Sequence, residues 1–221
     1  MGLTSADYSR AAAALGCEPR VVQALATVES AGSGFLPDGR PELLFEAHNF
    51  HRLTGGRYDG RVDRHGVSLS SSSWNRSLYG AGGTHQWERH NDAALLDKGC
   101  ADMSCSWGAF QIMGENFHMV GFRNVALFVG AMQSGVAAHL DAFVAFIKSS
   151  GLTKALIARD WAAVARGYNG PGNVPEYAAK MAAAYAAAGG VSAALPNPIP
   201  EPESEADKLM DAEIATFSPK G

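Results

Sequence analysis

In the stretch ALATVESAGSGF, residues 24–35, a glutamate closes an apolar run and small residues follow it. Glu29 lies one helical turn beyond Leu25 and two beyond Val22, so helical spacing sets it on the same face as the apolar stripe. The last turn of a helix presents partial negative charge. Burial and that charge both oppose ionisation and push a carboxyl pKa upward. A carboxylic acid that keeps its proton near neutrality can donate it to a poor leaving group. The competing reading is a solvated glutamate at a helix end. Ser30 and the glycine-rich break behind it leave the carboxyl open to approach, which favours the acid.

An acid that cleaves a bond with water needs a second group to activate that water. Such a pair of carboxyls stands about 6.5–9.5 Å apart, which leaves room for the water. Glu46, in LLFEAHNF, is the first candidate, because two leucines and a phenylalanine before it predict a half-buried position. The alternative for Glu46 is an ion pair with Arg40 or Arg52. Asp59 and Asp63 are reserves, and the glycine and arginine neighbours of Asp63 suit a turn. His48 and His51 stand three apart, with His65, His85 and His90 nearby, which raises a zinc-hydrolase reading. No H-E-x-x-H and no cysteine pair at zinc spacing supports it, so hydrogen-bonded histidines are preferred and no metal or other cofactor is expected. G-x-S-x-G is absent too, leaving a serine hydrolase without support.

The elements that must position these groups are mostly helical. TSADYSRAAAALG reads as a helix capped by Thr4 or Ser5 and stopped at Gly16, and a second helix runs from about Pro19 to Ser30. From Leu36 to about Gly99 the pattern turns polar and loop-rich: PDGRP is a turn, ELLFEAHNF a short strand or helix start, and LTGGRYDGR and LYGAGGTHQ glycine-rich loops. Helices return after 107. One follows Gly114, two are split near Ser134 and Gly135, and the segments LTKALIARD, WAAVARGY and VPEYAAKMAAAYAAAG complete the series, ending at Gly189. Trp107, Phe110 and Met113 read as core. From Val191 on the chain is rich in proline and acid, so the expectation is one domain over 1–190 and a mobile extension over 191–221, with a short amphipathic helix at 207–217 as its alternative.

Three phrases in order, VES closing an apolar helix, then SWGAFQIMG, then YNGPGNVPEY, resemble the lysozyme-like superfamily of goose-type lysozymes and lytic transglycosylases. More closely, GFLPDGRPELLFEAHNFHRLTGGRYD, WNRSLYGAGGTHQWERH and DWAAVARGYNGPG resemble the bacteriophage-type N-acetylmuramidase family of modular endolysins, over about residues 10–188. The resemblance implies a lysozyme-like helical domain with a small loop-rich or β middle segment flanking a cleft. It implies cleavage of the β-1,4 bond between N-acetylmuramic acid and N-acetylglucosamine in peptidoglycan. Glu29 matches the family's general acid. Ser106, Gly108, Gln111 and Ile112 match its cleft motif, and Tyr168 and Asn169 match the segment that faces the reacting sugar. The implied setting is a phage or prophage lysin made in the host cytoplasm without a signal, reaching the wall after release through a separate pore. A lytic transglycosylase on the same scaffold is the runner-up, ahead of a zinc amidase or peptidase and of a wall-binding protein without chemistry.

Composition excludes several other classes. The 221-residue chain carries a formal charge of −4. Six acids and two lysines after residue 190 account for all of it, so the body is neutral and offers no basic footprint for nucleic acid. No apolar run approaches the roughly 18 residues that would cross a bilayer, so no membrane insertion is expected. MGLTSADYSR lacks the basic and apolar regions of a cleavable signal, and Ala6 breaks the myristoylation pattern. Peptidoglycan glycan strands are the expected partner and a monomer the expected state. Cys17, Cys100 and Cys105 read as free thiols, with a Cys100–Cys105 bridge as the alternative in an oxidising space.

Overall fold

A computed structural model describes residues 2–30 and 33–190; the extension expected over 191–221 lies outside the described residues. Helix α1, Ser5–Leu15, opens with a capping box in which the Thr4 hydroxyl accepts from Asp7 N–H and the Asp7 carboxylate accepts from Thr4 N–H. Gly16, at φ 70°, closes it in the left-handed conformation that glycine adopts without strain. Helix α2, Pro19–Glu29, starts with proline at its first position and buries Val21, Val22, Ala24, Leu25 and Ala26. It packs against α1 and against α9, Val174–Ala187, the last helix among the described residues. Its final residue is Glu29.

The middle segment holds a small antiparallel sheet of β1, Leu43–Phe45, β2, Cys105–Trp107, and β3, Ile112–Met113, with β2 central. Phe45 opposes Cys105, Leu43 opposes Trp107, and Ser106 opposes Met113. ELLFEAHNF contains both a strand and the start of a helix, because α3, Ala47–Thr54, follows β1 directly. The loop-rich expectation up to Gly99 needs correction, since Thr84–Met103 forms α4. Its buried positions include Gln86, Arg89, His90 and Asp102, so no apolar stripe at helical spacing marks it in the sequence. The helix breaks at Asp97, at φ −157° and ψ 98°, and the Asp97 carboxylate recaps it by accepting from Cys100 N–H at 3.0 Å.

The helix expected after Gly114 is a short 3-10 turn, Gly114–His118. Helices α5, Val125–Ser134, and α6, Val136–Ser149, divide at Gly135 as the sequence predicts. Helices α7, Thr153–Ala158, and α8, Trp161–Asn169, lead into α9. The apolar core runs from α1 and α2 through Phe128, Leu140, Phe143, Ile147 and Val164 to Met181 and Tyr185, and continues into the sheet at Phe45 and Trp107. Among the described residues no helix is long and apolar enough to cross a membrane.

Candidate active site

Residues 104–111 are the frame on which the candidate groups converge. The Glu46 N–H donates to the Ser104 carbonyl at 3.0 Å, and β1 pairs with β2 immediately beside it. At the other end of the frame, Gly34 lies so close to Ala109 that a Cβ there would collide with the Ala109 backbone. The Tyr168 hydroxyl donates to the Phe110 carbonyl at 3.0 Å. Gly34 beyond Glu29, the strand that precedes Glu46 and the end of α8 are thus docked on one short segment.

Glu29 is half-buried at the end of α2. Its charge acts on Tyr168, whose phenol is pushed far above its ordinary value, first by burial and then by Glu29. The Tyr168 ring stands edge-on to Phe143 at 5.3 Å and to Phe146 at 5.6 Å, so packing as well as its hydrogen bond fixes its direction. The side chain of Asn169, the neighbouring candidate, lies outside the described residues.

Gln111 adopts φ 48°, in the left-handed region that a side chain makes costly. Its amide secures that conformation: Nε2 donates to the Gly108 carbonyl at 2.8 Å and Oε1 accepts from the Ser106 hydroxyl at 2.8 Å. Ser106 is buried at 5% exposure and meets Gln111 rather than open space. Ile112 is buried on β3, Trp107 and Phe110 belong to the core, and Met113 is half-buried.

His139 escaped sequence reasoning, because a single histidine in the apolar run of α6 carries no pattern. Its Nδ1 accepts from Ala109 N–H at 3.1 Å, and its Nε2 lies 2.7 Å from the Met132 carbonyl, which only a protonated nitrogen can donate to. One nitrogen donating and the other accepting defines a neutral ring, and burial lowers its pKa accordingly. Phe35 stacks on it at 4.8 Å. Gly108 at φ 71° abuts the same ring, so a Cβ there would lie 2.7 Å from it. His139 therefore holds the tip of the frame against α6.

Glu46, just before α3, has a side chain 18% exposed, and its Oε2 contacts His48 Nε2 at 3.3 Å and accepts from Asn49 Nδ2 at 3.1 Å. Burial, and then the charge of Glu115, push its pKa up to about 6. Neither arginine considered as its partner takes that place. Arg40 pairs with Asp38 at 2.6 Å, and Arg52 pairs with Glu115. Beside Glu46 a small hollow is lined by His48, Asn75, Leu78 and Tyr79. The Tyr79 phenol is pushed up to about 12, by burial and then by the Glu46 charge, and accepts from Trp74 Nε1 at 2.8 Å.

The reserve aspartates are engaged elsewhere. Asp59 accepts from the Ser70 hydroxyl and lies 2.8 Å from His51 Nδ1, and these bonds hold its pKa below the ordinary carboxylate value. Asp63 is buried, pairs with Arg89 at 2.7 Å and accepts from the N–H groups of His65 and Val67, which is the work of a turn residue. The cysteines are free thiols, and burial pushes Cys17 up to about 11.

A helical body around a small antiparallel sheet, with half-buried carboxylates on segments docked to the central hairpin, has the architecture of a lysozyme-like glycosidase. The Muramidase family model, described as N-acetylmuramidase, matches residues 18–189, and the chain belongs to that family of peptidoglycan-degrading enzymes. A solved structure, the Burkholderia AP3 phage endolysin, is 35% identical, superposes with a TM-score of 0.75, and is matched over 85% of this chain and 71% of its own. A search of curated proteins returned no match.

Proposed function

We propose that this chain is a phage or prophage endolysin that hydrolyses the β-1,4 bond between N-acetylmuramic acid and N-acetylglucosamine in peptidoglycan. Residues 1–190 form the catalytic unit and 191–221 an extension. It acts on the wall as a monomer after release from the host cytoplasm. The observation that carries the reading is the position of Glu29, half-buried at the end of α2, with Gly34 beyond it and Tyr168 both docked on the 104–111 segment.

In the proposed reaction Glu29 protonates the glycosidic oxygen as the bond to the muramic acid anomeric carbon breaks. Glu46, ionised above pH about 6, takes a proton from the attacking water, whose oxygen bonds to that carbon. Tyr168 and Asn169 are assigned to holding the reacting sugar, by their match to the family motif. The Ser106 hydroxyl fixes the Gln111 amide, whose Oε1 retains a second lone pair for a sugar hydroxyl or N-acetyl N–H.

Glu29→Gln keeps the shape and removes the acid. Turbidity loss of purified peptidoglycan should slow on the order of 10²–10⁴-fold, with the circular dichroism spectrum unchanged. Glu46→Gln should give a loss of the same order. Full activity in folded Glu29→Gln would overturn the reading.

A further inference from the structure

We infer that His65, His85 and Glu88 form a site for a divalent transition-metal ion of the zinc type, apart from the carboxylates of the proposed reaction. One ligand atom from each lies within 4.8 Å of the other two, and His65 Nε2 is already 2.8 Å from Glu88 Oε2. Two imidazoles and one carboxylate are zinc donors, and a tetrahedral ion at about 2.0–2.1 Å needs its ligands roughly 3.3 Å apart. The contraction falls to side chains with room to turn, since His65 is 44% and Glu88 32% exposed.

The backbone is set for this. His85, Glu88, Arg89 and Asp92 occupy one face of α4, at spacings of three and four. The turn at 63–65 docks on that face residue by residue. Asp63 meets Arg89, Arg64 grips Asp92 through its N–H, Nε and Nη2, and His65 meets Glu88. The cations that act on Glu88, Arg40 and Arg64, are each bonded to their own carboxylates, Asp38 and Asp92. Among the described residues no hydrogen bond restrains His85 Nε2, which is buried against Gly80. The two rings stand 4.9 Å apart, close enough for one ion to bridge them.

An ion here would staple the 63–68 turn to the start of α4. That helix start also carries Gln86, whose amide accepts from Phe45 N–H and donates to the carbonyls of Tyr79 and Ala81. The ion is therefore structural, and its binding reads out as stability.

The test is calorimetric titration of the chelator-stripped full chain with ZnCl2, with MgCl2 as control, alongside thermal melts. The expected result is one tight zinc equivalent, a rise in Tm with zinc and none with magnesium. His65→Ala and Glu88→Gln each weaken binding by more than about tenfold, the low end of what loss of even a supporting group costs a metal site. Both positions are partly exposed, and both variants should match the parent's Tm in chelator. Failure of the parent to bind zinc, or zinc binding equally tight in both variants (the partly exposed thiols or other histidines being its source), overturns the assignment.

Discussion

The helical body and the polar middle segment are held together by different forces. In α1, α2 and α5–α9 the buried positions are almost all apolar, and burial of those side chains stabilises the packing. In the middle segment the interior holds the Arg89–Asp63 ion pair, with both side chains at 0% exposure, and the His90–Asp102 pair at 2.8 Å. Arg89 also donates to the Ser68 carbonyl and lies over the Phe45 ring. The body is tolerant of volume-conserving change, whereas the middle depends on each polar group keeping its partner. Glu29 belongs to the first region and Glu46 to the second, so the two proposed catalytic groups are secured by different physics.

Substitutions sharpen that contrast. Arg89→Ala leaves Asp63 buried without its counter-charge and should lower stability by about 3–5 kcal/mol in chemical denaturation. Leu25→Ala, at 1% exposure in the body, should cost about 2–5 kcal/mol, while Leu25→Met should cost less than about 1.5 kcal/mol. A middle segment that tolerated Arg89→Ala as easily as the body tolerates Leu25→Met would erase the distinction.

Glu46→Gln should act on stability in the opposite direction. The fold raises the Glu46 pKa from 4.5 to about 6, so the native state favours the protonated form. The stability linked to that proton is fully present below pH about 4.5 and is lost as pH rises through about 6. The neutral amide avoids that loss. At pH 8 the variant should gain on the order of 2 kcal/mol over the parent, with the difference vanishing below pH about 4.5, while its activity falls. The smallest effect is expected from Ser106→Ala. It removes one hydrogen bond to Gln111, about 0.5–1.5 kcal/mol, and should raise KM more than it lowers kcat.

The same contrast decides what was legible in the sequence. The caps Thr4 and Gly16, the stripe Val22–Leu25 and the break at Gly135 are local signals, and the body follows them. Helix α4 carried no such signal, because Arg89, His90 and Asp102 take core positions through partners distant in sequence. Motif order singled out the segment 106–114 and the end of α2, but not the hairpin that the former makes. Its details lay beyond sequence: the left-handed Gln111, the Ser106–Gln111 bond and the clamp from His139 all depend on contacts across the fold.

The bond that is cut and the group that takes the new end define the enzyme. Purified peptidoglycan digested by the full chain, reduced with borohydride and analysed by mass spectrometry identifies both directly. The expected fragments carry muramitol at their reduced end, in keeping with hydrolysis at the muramic acid anomeric carbon. Glucosaminitol ends, 1,6-anhydromuramic ends, in which the sugar's own hydroxyl has displaced water, or an intact glycan would contradict it.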